Sequence, residues 1–152
     1  MTDKLLIRTG QAADADVLAQ FNIAMALETE GKHLDPTVVI EGVRTVIENP
    51  DHGFYVVAVK NNEVAASLLV TFEWSDWRAG QFWWIQSVYV RPACRRQGLL
   101  RRLYAHVKAQ AERQQRVCGL RLYAEQSNHT AQQAYRALGM EATAYRVFEE
   151  ML

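Results

Sequence analysis

Long apolar runs and cysteine-rich patterns are both missing from this sequence of 152 residues. No stretch of about 18 uninterrupted apolar residues occurs, so we expect no membrane-spanning helix. The first eight residues include an acid and only three consecutive apolar residues, which is not typical of a signal peptide. The two cysteines, Cys94 and Cys118, favour a reducing cytoplasm over a disulfide scaffold. Because these cysteines and the four histidines are scattered, no metal site is predicted.

An excess of one charge is also missing, since 17 basic residues balance 17 acidic ones. This balance argues against a nucleic-acid partner and against a polybasic membrane anchor. The balance nevertheless hides an asymmetry: residues 1–89 carry a net charge of −6 and residues 90–152 a net charge of +6. Eight of the basic residues lie within 90–116, against one acid there, Glu112. This cluster is either a solvated helix face or an anion site.

The length and the 49% content of hydrophobic residues predict one globular domain over residues 1–152. Hydrophobic periodicity predicts the order β-α-α-β-β-β-α-β-α-β, an α/β fold with a mixed, mostly antiparallel sheet flanked by helices on both faces. Hairpin turns are expected at 60–63 and 75–80, and a loop at 28–35. The predicted strands are 4–9, 54–59, 64–74, 81–90, 119–124 and 145–151. The predicted helices are one capped by Asp14, then 36–49, 98–113 and 128–138.

Residues 86–103 carry most of the chemical information, because a strand runs there into a basic turn and then into an amphipathic helix. The free N–H groups at a helix start and the helix dipole attract anions. The glycine of the turn, Gly98, lets an anion approach the backbone. The segment therefore predicts a diphosphate cradle, although neither a Walker loop nor a Rossmann fingerprint is present.

Two motifs resemble those of the GNAT (general N-acetyltransferase) superfamily. The first family motif is V-x-P-x-x-[RQ]-x-x-G-x-[GA]-x-x-L, and this chain departs from it at Leu100. Its matching residues are Val90, Pro92, Arg95, Gly98 and Leu103. The second is N-x-x-A-x-x-x-Y-x-x-x-G-F, from which only Met140 departs, and its matching residues are Asn128, Ala131, Tyr135 and Gly139. The resemblance extends over roughly residues 4–150.

The resemblance implies that the protein binds acetyl-CoA. The backbone of Val88 and Val90 would pair with the pantetheine arm, while N–H groups from Arg96 to Leu100 would hold the pyrophosphate. The implied cofactor-binding residues are Val88, Tyr89, Val90, Arg95, Arg96, Gln97, Gly98, Leu99, Leu100, Arg101, Asn128, Ala131 and Tyr135. The alternatives are sheet core for Val88 and Val90, and a plain helix cap for Asn128.

The resemblance also implies that Tyr135 gives a proton to the departing thiolate, since a phenol has a pKa near 10. The alternative for Tyr135 is a half-buried core residue. The glutamate that some family members place on the central strand is missing, and Gln86 there can order water but cannot act as the base. The candidate bases are Glu28 and Glu73, with Glu30 and Asp76 also considered, and each is alternatively a solvated surface acid. The predicted acceptor-binding residues are Glu28, Glu30, Trp74, Asp76 and Gln86.

The resemblance favours an acetyl-CoA-dependent N-acetyltransferase that acts on a primary amine by direct attack in a ternary complex. The alternative is a GNAT-fold domain that binds CoA as a sensor without catalysis. The acidic first part of the chain favours a cationic acceptor, either a small molecule or a peptide amine. Four tryptophans crowd the hairpin 72–84, and they predict core packing, a pocket for an organic cation or an interface in a homodimer.

Overall fold

The structure is a computed structural model that describes residues 4–152. The strands are β1 Leu5–Thr9, β2 Phe54–Lys60, β3 Glu63–Ser75, β4 Gly80–Val90 and β5 Val117–Arg121. The helices are α1 Ala15–Glu30, α2 Pro36–Glu48, α3 Leu99–Arg113 and α4 His129–Ala137. Two compact units make up the chain, one ending at Leu122 and one spanning Tyr123–Leu152. None of the described helices is long and apolar enough to cross a membrane.

The five strands form one sheet in the order β1-β2-β3-β4-β5. Neighbouring strands are antiparallel except β4 and β5, which run parallel. The predicted mixed, mostly antiparallel sheet flanked by helices is therefore confirmed. The predicted turn between β2 and β3 also forms, and Asn61 and Asn62 there adopt φ angles of +52° and +66°. Asparagine tolerates this left-handed region better than most residues, so the turn forms without glycine.

Helices cover both faces of the sheet, as the burial of two adjacent residues of β2 shows. Val56 and Val57 point to opposite faces, yet both are fully buried. Val56 packs in a cluster with Leu103 and Val107 of α3, whereas Val57 packs with Leu18 of α1. We call these the α3 face and the α1 face. A strand buried on both faces needs apolar residues in succession, as in the run from Tyr55 to Ala58.

The first helix differs from the prediction at both ends. The carboxylate of Asp14 does not cap α1 but accepts hydrogen bonds from Arg8 at 2.7 and 3.0 Å and from the Gln11 N–H at 2.8 Å. Burial alone would raise the pKa of Asp14, but these hydrogen bonds and the Arg8 charge lower it. At its other end α1 continues to Glu30, where Gly31 ends it at a φ of +63°. Residues 28–30 are therefore helical, and the predicted loop 28–35 is shorter.

Two predictions near the end of the chain are also wrong in part. β5 begins two residues before the predicted position and ends three residues before it. Residues 145–151, predicted as a strand, form none. A strand exists only where a neighbour satisfies its backbone N–H and C=O groups, and alternating side chains alone do not provide that neighbour.

Candidate active site

The two halves of β4 differ in their neighbours. Residues 81–84, which we call the paired half, pair with β3 on one side and with β5 on the other. Residues 85–90, the open half, continue along β3, and no strand in the described part of the chain pairs with their other side. The parallel strands thus part after Trp84 and Arg121, the last pair between β4 and β5. The open half offers backbone groups that an extended ligand could pair with.

A β-bulge interrupts the open half. Ser67 lies opposite Tyr89 and Leu69 lies opposite Gln86, so two residues of β4 face a single residue of β3. Ser87, at the bulge, adopts a φ of +51°. The extra residue brings Gln86 and Tyr89 to the same face of the sheet, whereas strict alternation would put them on opposite faces. Tyr89 accordingly contacts Phe21 of α1, with ring centroids 4.9 Å apart.

Several backbone N–H groups in the turn after β4 precede the first hydrogen bond of the following helix. A short 3-10 segment, Pro92–Cys94, follows the strand, and Arg96 and Gly98 then adopt φ angles of +62° and +77°. The first hydrogen bond of α3 joins the Arg102 N–H to the Gly98 oxygen at 3.1 Å. The N–H groups of residues 99–101 precede it, and such groups carry the positive end of the helix dipole. A Cβ at Gly98 would meet no atom within 4 Å, so the space before the turn is open.

Glu28, near the end of α1, forms hydrogen bonds with residues at and just after the end of β4. Its carboxylate accepts a hydrogen bond from the Tyr89 hydroxyl at 3.2 Å and from Arg95 Nη2 at 2.8 Å. Arg95 also donates through Nε to the Val90 carbonyl at 2.9 Å. Burial and then the charge of Glu28 raise the pKa of the Tyr89 phenol, so it stays protonated at neutral pH. Glu28 and Arg95, 67 residues apart, thus meet beside the open half.

A second cluster lies where β4 and β5 part. Glu73 Oε1 accepts from Trp84 Nε1 and from Arg121 Nη1, both at 3.0 Å. The Arg121 guanidinium also lies 3.6 Å from the centroid of the Phe82 ring. Cross-strand pairing places these side chains on the α1 face, because Glu73 pairs with Phe82 and their neighbours Trp83 and Ile85 belong to the α3 face. This cluster therefore shares its face with Gln86 and Tyr89.

Gln86 lies between these two clusters, and its amide donates to the Thr71 hydroxyl on β3. Trp83, one of the four tryptophans of the hairpin, is buried on the α3 face, which agrees with core packing for that residue. Trp74 and Trp77 are 56% and 84% exposed. Of the other predicted acceptor residues, Glu30 pairs with Lys32 at 3.7 Å and Asp76 lies exposed in the turn between β3 and β4.

The remaining predicted cofactor residues differ in exposure. Leu99 is buried in the cluster on the α3 face, and Val88 and Val90 pack against the same cluster. Their side chains are thus sheet core, as the alternative interpretation held, while their backbone belongs to the open half. In the turn, Gln97 Oε1 accepts from Lys60 Nζ at 2.7 Å, and its amide donates to the Ala93 carbonyl at 3.3 Å. The side chains of Arg96 and Arg101 are exposed.

The second unit carries the other predicted residues. Asn128 accepts from the Ala131 N–H at 3.1 Å, which confirms the predicted cap of α4. Tyr135 lies in the same helix and is partly buried, and this burial raises the pKa of its phenol. The phenol is therefore protonated throughout the neutral pH range, as a proton donor must be.

Sequence reasoning missed the bulge at Ser87, the Thr71 partner of Gln86 and the Arg121 partner of Glu73. The sequence did indicate that Thr71 and Glu73 lie on the same face of the sheet, because they are two residues apart in a predicted strand. The partners themselves depend on the register between strands, which no pattern within one strand contains.

The comparisons with known proteins agree with this geometry. The family model described as "Acetyltransferase (GNAT) family" matches residues 21–140, which is more than half of the chain. No curated protein matches the sequence. The solved structure of a possible acetyltransferase from Clostridium difficile 630 is 38% identical, covers 97% of each chain and superposes with a TM-score of 0.92.

Two solved structures of lower identity share the fold. A predicted acetyltransferase from Clostridium acetobutylicum, solved with acetyl-CoA, is 16% identical, covers 97% of this chain and 96% of its own, and has a TM-score of 0.78. An aminoglycoside N-acetyltransferase, solved in complex with CoA, is 15% identical, covers 99% and 97%, and has a TM-score of 0.77. At these identities the likeness concerns the fold alone.

Proposed function

This chain belongs to the acetyltransferase (GNAT) family, and we propose that it moves an acetyl group from acetyl-CoA to a primary amine by direct attack in a ternary complex. Acyl transfer is the activity of the family. The observation that carries the finer proposal is the open half of β4 leading directly into a turn of unpaired N–H groups. That arrangement suits a ligand with an extended amide arm at one end and a diphosphate at the other.

The residues of the site fit such a ligand. The backbone of Val88, Tyr89 and Val90 would pair with the arm, and the N–H groups of residues 96–101 would hold the pyrophosphate. Arg96 and Gly98 adopt positive φ angles, a backbone conformation that occurs in the concavities where successive N–H groups bind anions. Because Arg95 donates to Glu28, we assign charge neutralisation first to the exposed Arg96 and Arg101.

A bound thioester supplies the acetyl group and a sulfur leaving group. The amine nitrogen forms the new C–N bond while the C–S bond breaks, and the sulfur leaves with the electron pair. Tyr135 would donate its phenolic proton to that sulfur, since burial keeps the phenol protonated. A base must first take one proton from the ammonium form, because only the neutral amine has a lone pair to attack with. After the attack the nitrogen releases a second proton to solvent, and the Tyr135 phenolate regains a proton from solvent.

Two carboxylates compete for the role of base. Glu73 contacts Trp84, the last residue of the paired half, whereas Glu28 contacts Tyr89 near the end of the open half. Trp84 and Tyr89 lie five residues apart along the strand, or about 15 Å at the usual rise, so we treat the two acids as alternatives rather than as a pair. We propose Glu28 and Glu73 as the candidates, with Gln86 between them ordering the acceptor or a water. Glu30, Trp74 and Asp76 would contact more distant parts of a cationic acceptor.

Calorimetry with acetyl-CoA tests the proposal most directly. We expect saturable binding at micromolar cofactor, and no heat at millimolar cofactor would contradict the proposal.

Tyr135→Phe should reduce kcat at least about tenfold, as expected for loss of a proton donor, and leave the Kd for acetyl-CoA nearly unchanged. An unchanged kcat would remove Tyr135 from this role.

A matched pair of variants separates the two candidate bases. Glu28→Gln and Glu73→Gln each remove one charge and keep the size of the side chain. The variant of the true base should lose about 10²–10⁴-fold in kcat, while the other should lose little. Equal, small losses in both variants would contradict a carboxylate base and leave a water relay through Gln86.

A second candidate function has support from the same two clusters. Glu28 and Glu73 both accept hydrogen bonds from arginines, and the central strand carries the amide Gln86 where an acid would act as base. These contacts favour a domain that binds CoA as a sensor without turnover. A panel of amines, assayed for release of free CoA thiol, discriminates between the two functions, because turnover on any amine excludes the sensor.

We further propose that the protein forms a homodimer and functions in the cytoplasm. The exposed Trp74 and Trp77 support an interface, since soluble monomers seldom expose large aromatic residues side by side. Both cysteines are free thiols, which suits a reducing compartment. Light scattering tests the first proposal, and localisation of a tagged chain tests the second.

A further inference from the structure

A cavity of about 540 Å³ lies on the α3 face, at the end of the sheet where β4 and β5 begin. Gln81 and Val117, the first pair between these two strands, are among its lining residues. All of its lining residues belong to the unit that ends at Leu122. The volume is in the range of protein cavities that bind small molecules.

Three aromatic rings form one wall of the cavity. Phe54, Phe72 and Trp83 lie on the neighbouring strands β2, β3 and β4. The Trp83 centroid is 5.2 Å from that of Phe54 and 6.1 Å from that of Phe72, and the two phenylalanine centroids are 6.2 Å apart. Rings at these distances form a continuous apolar surface against which another aromatic ring can pack.

Two polar atoms at this cavity are buried without a hydrogen bond. Within the described part of the chain, Trp83 Nε1 and Gln110 Oε1 have no partner. Both residues line the cavity, and Trp83 is only 6% exposed. Such atoms are rare in native proteins, because each has lost its hydrogen bond to water without gaining another. The indole N–H needs an acceptor and the amide oxygen needs a donor, which a ligand could supply together.

The charge of the cavity is of one sign. Arg113 and Arg116 line it, and none of its described lining residues is acidic. Arg116 donates to the Ala79 carbonyl at 3.4 Å, but neither arginine forms a salt bridge with an acid within residues 4–152. Both side chains are exposed, so the charged end of a ligand would stay near water. A guanidinium binds a carboxylate through two parallel hydrogen bonds.

This cavity lies apart from the site proposed for acetyl-CoA. Gln110 follows Gly98 by twelve residues, or about 18 Å along α3 at the usual rise. Trp83 belongs to the paired half of β4 and to the α3 face, whereas Gln86 and Tyr89 belong to the open half and to the α1 face. The roles proposed above for the acceptor and the cofactor therefore leave the cavity unexplained.

We propose that the cavity binds a small aromatic carboxylic acid that carries a hydroxyl group. The ring would pack against Phe54, Phe72 and Trp83, and the carboxylate would bind Arg113 and Arg116. The hydroxyl would accept from Trp83 Nε1 and donate to Gln110 Oε1, because a hydroxyl can do both. Binding of such an acid is a property of this chain in addition to acetyl transfer.

NMR spectra of the indole N–H groups test the proposal with para-hydroxyphenylacetate as the probe. The four tryptophans give four indole signals, which are assigned by replacing each tryptophan with phenylalanine in turn. We expect the probe to shift the Trp83 signal saturably. Phenylacetate lacks the hydroxyl and para-cresol lacks the carboxylate, so each should bind at least about tenfold more weakly. An unchanged Trp83 signal at millimolar probe would mean that the cavity holds water only, and would overturn the proposal.

A matched pair of arginine variants locates the carboxylate. Arg113→Gln should weaken binding of the probe at least about tenfold, because a charged hydrogen bond is lost. Arg101→Gln is the control, since Arg101 is an exposed arginine at the other end of α3, and this variant should keep its affinity for the probe. The reverse result would place the acid at the turn of Gly98 and overturn the proposal.

Gln110→Leu locates the hydroxyl. Leucine is close in size, favours a helix and has no hydrogen-bonding atom, so the variant should fold. We expect it to bind para-hydroxyphenylacetate and phenylacetate with similar affinity, since the acceptor for the hydroxyl is gone. An unchanged preference for the hydroxylated acid would contradict the proposed contact. None of these measurements depends on acetyl-CoA or on turnover, so their failure is distinct from failure of the proposed acetyl transfer.

Discussion

The two halves of β4 belong to one strand but have different neighbours. The paired half is covered by strands on both edges, and Trp83 lies there in the core at 6% exposure. Among the residues that the structure describes, the open half has a strand on one edge only, and it contains the bulge at Ser87 and leads into the turn of Arg96 and Gly98. The comparison teaches that a strand becomes a binding surface where its neighbour diverges, because its backbone groups then need another partner. Substitutions in the paired half should therefore change stability, and those at the open half should change binding.

The largest effect is expected in the paired half. Trp83→Ala removes a buried ring that packs against Phe54 at a centroid distance of 5.2 Å and against Phe72 at 6.1 Å. Such a truncation lowers the free energy of unfolding by about 3–5 kcal/mol, because a cavity is left behind. Urea denaturation measures the change. Val38→Ala, at an exposed position of α2, is the control and should stay within about 0.5 kcal/mol of the wild type.

The second effect concerns the turn beyond the open half. Gly98→Ala forces an alanine into a left-handed conformation, which costs about 1–2 kcal/mol, and its Cβ would occupy the open space before the turn. We expect the Kd for acetyl-CoA to rise about 10–100-fold, as measured by calorimetry.

Gly31→Ala is the matched control for this experiment. Gly31 has a φ of +63°, and its added Cβ also meets no atom within 4 Å, so the strain is similar. The control should lose the same stability and keep its affinity for the cofactor. Equal losses of affinity in both variants would mean that strain, rather than contact with phosphate, explains the result at Gly98.

The smallest effect tests the link between α1 and the open half. Glu28→Gln removes a negative charge next to the Tyr89 hydroxyl. Burial and the Glu28 charge both raise the pKa of Tyr89, so removing the charge should lower that pKa toward its ordinary value of about 10. Difference titration of tyrosine absorbance between wild type and variant measures the shift. An unchanged or raised pKa would show that Glu28 does not contact Tyr89 in solution.

Much of the fold could be predicted from local patterns. The β2–β3 turn, the helix over residues 99–113 and the glycine turn before it all depend on neighbours within a few residues, and the structure contains each of them. The strand predicted at 145–151 is the exception, because its side-chain alternation was correct for a strand but pairing requires a distant partner. For the same reason, the sequence identified Glu28 and Glu73 as candidate bases but did not identify Arg95 and Arg121, the arginines that contact them.

The sequence by itself therefore determined the elements, the family motifs and the acid–base asymmetry of the chain, because these are properties of short segments and of composition. Only the tertiary structure decided which face each side chain occupies. The bulge at Ser87 shifts the alternation by one residue and places Gln86 and Tyr89 together, and the parting of β4 from β5 opens the strand that a cofactor could use. Register between strands depends on residues far apart in the chain, so no local pattern contains it.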